Sequence, residues 1–142
     1  MSNAAVSTET QNVWNVRNLD ECPEVTLEGF KMYRILDGAG FANMGCEYVV
    51  IEPYKVLEPH FHRKGHAVIL VISGNGFVSV GDEKYPLKEN TLINIPPGTE
   101  HGLEAGSESL VVYGFQSPAI IDDNDDADIF FSRDNRKGIV YR

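Results

Sequence analysis

The sequence predicts an all-β protein, a closed or sandwiched antiparallel β fold with few or no long helices. Short runs rich in Val, Ile, Tyr and Phe recur at roughly 8–12-residue spacing, as in β-sandwiches and barrels. Gly, Pro, Asn and Asp clusters punctuate them. No window of about 12 residues carries a 3.6-residue apolar repeat, which is what a long amphipathic helix would need.

In chain order, strands are expected at FKMYRIL (30–36), EYVVIEP (47–53), HAVILVI (66–72), GFVSVGD (76–82), KYPL (84–87), TLINIP (91–96) and SLVVYGF (109–115). The turns between them are DGAG (37–40), SGNG (73–76), GDE (81–83), KEN (88–90) and PPGTE (96–100). Gly74-Asn75-Gly76 and Gly81-Asp82 suit tight hairpins, because Gly, Asn and Asp tolerate the positive φ such turns require. The run AVILVI (67–72) lacks polar alternation, which predicts a strand covered on both faces. A second subunit or the C-terminal tail would supply the outer cover.

At 142 residues with 42% hydrophobic content, the chain is long enough to fill one core. The divisions expected are a flexible N-terminus at 1–11, a body at 12–118, and an acidic linker with a docking tail at 119–142. Ser2-Asn3-Ala4 reads as a cloning remnant. The net charge of -9 argues against nucleic acid and anionic membranes as partners. No apolar run approaches the ~18 residues of a membrane span, and the first residues carry no secretory signal. Cys22 and Cys46 form no CxxC pair, as expected of reduced thiols in the cytoplasm.

IDDNDDAD (121–128) holds five aspartates and no base, the composition of a solvated linker. A calcium loop starting at Asp122 would need Gly at position six and Glu at position twelve. Ala127 and Arg133 stand there instead, so that reading fails.

All four histidines fall in two short segments: His60, His62 and His66 in EPHFHRKGH, and His101 after Pro96-Pro97-Gly98. Residues two apart on a strand share a face, so His60 and His62 can grip one ion together. A third imidazole must then come from another strand, and His101 follows a rigid turn suited to placing it. Imidazole ligands suit Zn, Fe, Ni and Cu.

At these residues the chain resembles the cupin superfamily, whose first motif runs G-x5-H-x-H-x(3,4)-E-x6-G and whose second runs G-x5-P-x-G-x2-H-x3-N. His60-Phe61-His62 and Gly74 match the first motif; Pro96, Gly98 and His101 match the second. The resemblance covers roughly residues 44–115. It implies a single small antiparallel jelly-roll β-barrel with one divalent transition metal ion between its sheets, Zn, Ni, Fe and Mn all being compatible. The family's habit of pairing barrels, with the two-sided AVILVI strand, implies a homodimer.

The departures bear on function. Tyr54 and Asn90 stand where the two motifs open with glycine, and Ala105 replaces the closing Asn. Keeping Gly74 in register puts Ala67 in the glutamate-ligand slot; moving the slot back one residue puts His66 there. We expect His66 as a fourth ligand, with a bulge near Arg63-Lys64-Gly65 repositioning it. Without His66 the site has three histidines and an open side. Either shell is neutral, so the ion would keep its full charge and favour an anionic or enolisable oxygen ligand.

The resemblance spans dioxygenases, isomerases, lyases and non-catalytic binders, and the fold does not choose between them. The expectation is a metal-dependent enzyme acting on a small oxygenated or carboxylate-bearing molecule. The competing readings are a small-molecule or metal-binding module and a metal-free sugar epimerase. Tyr48, Tyr85, Tyr113, Glu52 and Glu100 are acid–base candidates by type, and a structural role is expected for each.

Overall fold

A computed structural model of the chain describes residues 14–37, 43–121 and 127–133. The N-terminal 1–11 segment, the tip of the 37–40 turn, the aspartates at 122–126 and the end of the tail lie outside these residues. The strands are β1 (Glu24–Leu27), β2 (Phe30–Asp37), β3 (Gly45–Ile51), β4 (Val56–Phe61), β5 (His66–Ser73), β6 (Gly76–Val80), β7 (Glu83–Leu87), β8 (Leu92–Ile95), β9 (His101–Ala105), β10 (Leu110–Ser117) and β11 (Phe130–Phe131). The only helical element described is a 3₁₀ turn at Leu19–Glu21, capped by Asn18. Among the described residues no helix is long and apolar enough to cross a membrane.

The strands form two antiparallel sheets, in the orders β1-β2-β3-β10-β5-β8 and β11-β4-β9-β6-β7. They pack face to face as a jelly roll. Alternation along each strand sends one set of residues inward. Met32, Val49, Ile51, Ala67, Ile69, Val71, Leu110 and Val112 come from the larger sheet, and Val78, Leu87, Leu103 and Ala105 from the smaller. Ile51, Val71, Ile95, Leu110 and Ile121 are almost fully shielded from water.

The inner half of AVILVI is buried as expected, while Val68, Leu70 and Ile72 are half-buried on the outer face. Among the described residues the C-terminal segment does not cover them. It runs along the other sheet, where β11 pairs with β4.

Gly81-Asp82 closes the β6–β7 hairpin as expected, but Gly74-Asn75-Gly76 is not a hairpin: it carries the chain from β5 in one sheet to β6 in the other. Tyr54 and Asn90, at the two positions where the cupin motifs place glycine, both adopt positive φ, 64° and 72°. The backbone turn has survived the loss of the glycine. Gly74 has φ +90°, and a Cβ there would lie 1.8 Å from the Ser109 carbonyl oxygen, so no larger residue fits.

Candidate metal centre

His60 lies in β4 directly opposite His101 in β9. His62 follows one step beyond the end of β4, on the same side as His60. Phe61, between them, points the other way and stacks on Phe130, with ring centroids 5.5 Å apart. The three imidazoles are 3–6% exposed. One nitrogen of each lies within 4.8 Å of the other two.

Every ring is pinned by a backbone carbonyl. His60 Nδ1 is 2.7 Å from the Glu58 oxygen, His62 Nδ1 is 2.7 Å from the Asp128 oxygen, and His101 Nδ1 is 2.9 Å from the Thr99 oxygen. A carbonyl oxygen can only accept, so each Nδ1 carries the proton and each Nε2 keeps a free lone pair. Burial, and then the neighbouring His101, depresses the His60 pKa to about 3. Burial likewise takes His101 to about 4, against the opposing pull of its bond to Thr99. His62 is also lowered by burial, with Asp128 pulling the other way. Three neutral imidazoles with free Nε2 atoms are the form that binds a metal. The turn at Pro96-Pro97-Gly98 is tied in too, since Gly98 N–H donates to the His62 carbonyl at 2.7 Å. The two motif segments are thus locked to each other, not merely adjacent.

Asp128, read from the sequence as the end of a solvated linker, is part of this centre. Its carbonyl holds His62, and its carboxylate accepts the backbone N–H groups of Arg63, Lys64 and Gly65 at 2.8, 2.8 and 3.0 Å. Partial burial raises its pKa, but those three donors and His62 outweigh it and hold the group below the usual carboxylate value.

The fourth ligand expected at residue 66 is a correction. His66 is exposed and stands outside the trio, while Ala67 is 3% exposed and lines the cavity. The physical reason is the Asp128 clasp. It shapes the 63–65 turn so that β5 starts in the register that keeps Gly74, and alternation then turns residue 67 inward and residue 66 outward. Gly65 does not take positive φ; a Cβ there would press on Ile120 and the Pro118 carbonyl, both at 3.3 Å, and they would have to yield by a few tenths of an ångström. The centre is three histidines with an open side.

The open side gives onto a cavity of about 260 Å³ between the sheets, walled by Phe30, Met32, Val49, Leu57, Ile69, Leu103, Val112 and Phe131 among others. That volume is slightly below the ~300–1,000 Å³ of typical ligand pockets, so a bound organic molecule is small. On the wall opposite the imidazoles sits Glu47, 4% exposed. Gln116 Nε2 donates to its Oε1 at 2.7 Å. The buried Arg34 faces it across the β2–β3 ladder. The acid–base candidates named by residue type do not line the cavity. Tyr48 and Tyr113 belong to an outer-face row with Tyr33, and Tyr85, Glu52 and Glu100 are exposed.

Burial raises the Glu47 pKa from the usual 4.5 to about 7, against the lowering effects of Gln116 and Arg34. The folded protein therefore holds this proton more tightly than the unfolded chain. The resulting stability is complete below pH 4.5 and is lost as pH rises to about 7. At ~1.4 kcal/mol per pH unit of displacement, the loss is about 3 kcal/mol. Urea unfolding of wild type and Glu47→Gln should diverge across this window, the variant gaining relative stability as pH rises. Parallel curves would show that the carboxyl is not perturbed.

Residues 47–113 match the cupin domain family. The chain is 34% identical over 103 residues to L-ectoine synthase of Aliivibrio fischeri (strain MJ11), covering 68% of this chain and 79% of that protein. It is 33% identical over 111 residues to L-ectoine synthase of Vibrio campbellii, covering 72% and 85%. Among solved structures, ectoine synthase from P. lautus superposes with a TM-score of 0.64 at 17% identity, over 73% of this chain and 78% of that one. KdgF from Halomonas sp. gives 0.62 at 23% identity, over 70% and 90%. Motif, fold, three-histidine centre and relatives agree, and the chain belongs to the cupin superfamily.

Proposed function

We propose that this cupin is a metal-dependent enzyme that binds one divalent transition ion through His60, His62 and His101 and acts on a small oxygenated or carboxylate-bearing molecule in the adjoining cavity. The observation that carries the reading is the clustering of the rings: three buried imidazoles, each with Nδ1 on a backbone carbonyl, each bring a nitrogen within 4.8 Å of the other two. When bound, such an ion would act as a Lewis acid toward a carbonyl or carboxylate oxygen. The chain's own contribution is to hold the ligands neutral and fixed, to wall the cavity with apolar side chains, and to keep a titratable carboxyl in it. That carboxyl favours isomerase- or lyase-type proton transfer over dioxygen chemistry. The relatives' name, L-ectoine synthase, is in keeping with a catalytic role. A metal-free acid–base role needs an imidazole that charges near neutrality, and burial opposes that in all three.

Elemental analysis of protein purified without a chelating column should find close to one transition ion per chain, lost in His62→Ala. Equal metal in the two proteins would sink the proposal. The half-buried apolar outer face of β5 supports a homodimer, and two free cysteines fit a reducing cytoplasm. Sedimentation at micromolar concentration should show twice the 15.8 kDa chain mass; a monomer alone would end the dimer reading.

A further inference from the structure

We infer that Glu47 is the proton-transfer group of this cavity, and that the molecule it serves is a small 2-oxo acid with a C–H bond next to its carbonyl. The inference rests on the metal-dependent reading above and goes beyond it in naming the residue and the substrate class.

Three carboxyl groups line the cavity: Glu28, Glu47 and Glu58. Glu28 is exposed and pairs with Lys55, and Glu58 pairs with Arg133. Both belong to the rim. Glu47 is the carboxyl buried in the wall, on the sheet opposite the imidazoles. Its position is built rather than incidental. Gly114, its cross-strand partner on β10, has no side chain, and a Cβ there would sit 3.1 Å from Gln116 Nε2. That gap is what lets Gln116 reach past residue 114 to hold the Glu47 carboxyl. Arg34, opposite on β2, places a cation beside it to offset the charge when the proton leaves.

The two walls ask for different things of a ligand. Three neutral imidazoles leave a divalent ion its full charge, which favours an acid able to offer a carboxylate and an adjacent carbonyl oxygen together. The rest of such a molecule must then extend into an apolar space with Glu47 across from it. In the step we assign, the C3–H bond breaks and its proton moves to a Glu47 carboxylate oxygen. The bonding pair becomes the C2–C3 double bond, and the carbonyl π pair moves onto oxygen to give the enolate. The reverse step returns the proton to C3, so neither oxidant nor co-reactant is needed. A carboxyl pushed to about 7 can both take and return a proton at neutral pH.

The test uses the full chain loaded with one equivalent of Zn²⁺ in D₂O, with pyruvate and 2-oxobutyrate as probes and loss of the C3 proton signal as readout. Wild type should accelerate exchange above Zn²⁺ alone, with a rate that rises through neutral pH. Glu47→Gln should slow it by ~100-fold or more, the usual size of a lost general base, and Glu47→Asp should recover part. Zinc content and binding of oxalate, which cannot enolise, should be unchanged. If Glu47→Gln fails to fold, Gln116→Leu serves instead: removing a bond that lowers the carboxyl pKa should move the pH midpoint of exchange upward. Exchange undiminished in Glu47→Gln, an unmoved midpoint in Gln116→Leu, or no exchange in a wild type that binds Zn²⁺ and oxalate overturns the inference while leaving the metal-dependent reading intact. A wild type that binds no Zn²⁺ overturns both.

Discussion

Replacing His101 with alanine should reduce affinity for a divalent ion about a thousandfold while leaving the chain folded. Structural zinc sites gain roughly 10–16 kcal/mol from about four ligands, so one imidazole is worth on the order of 4 kcal/mol. The ring is also buried and neutral, and its loss leaves a small cavity rather than an unpaired charge. Competition against a chromophoric chelator gives the affinity, and far-ultraviolet circular dichroism the fold. His66→Ala is the internal control, since its exposed ring lies outside the trio. A His101→Ala protein that binds within threefold of wild type would remove the metal centre as described.

The second large effect is expected at Asp128. Its carboxylate accepts three backbone N–H groups from residues 63–65. Hydrogen bonds to a charged acceptor contribute ~1.5–3 kcal/mol each, so Asp128→Ala should destabilise the fold by about 4 kcal/mol, allowing for water replacing part of what is lost. Without the clasp the main chain at 128 can shift, carrying with it the carbonyl that holds His62, so metal affinity should also fall, by roughly 10- to 100-fold. Asp128→Asn, which keeps one acceptor oxygen, should fall between. Denaturant unfolding with and without metal separates the two effects. A variant that loses stability but binds metal as wild type does would show that the 63–65 turn does not govern His62.

How far the sequence could be read depended on what each signal was made of. Strands rich in β-branched and aromatic residues, β2, β3, β5 to β8 and β10, were legible from composition and turns. β4 and β9, which carry His60 and His101, were not marked out that way: VLEPHF holds a proline and a glutamate, and HGLEA has little β propensity. Their histidines were found by spacing instead. The placement of His66 failed because AVILVI is apolar on both faces, and a run without alternation does not reveal its register. Glu47 was hidden by the same ambiguity, since Tyr48 and Val50 on the outer face are as apolar as Val49 and Ile51 on the inner. Asp128 was illegible for another reason. Its partner His62 lies 66 positions away, and a main-chain carbonyl leaves no trace in residue type.

That last point reaches further. The groups that select the tautomer of all three imidazoles are carbonyls of residues 58, 99 and 128, atoms that every amino acid possesses. Many metal sites instead orient their histidines with carboxylate side chains, which a single codon change can delete. Here no codon change can delete the orienting atom itself; only a shift of the main chain can move it. Side chains at 58 and 99 can therefore be exchanged with little effect on the tautomer of the three imidazoles, leaving the cavity walls free to vary around a trio that stays put.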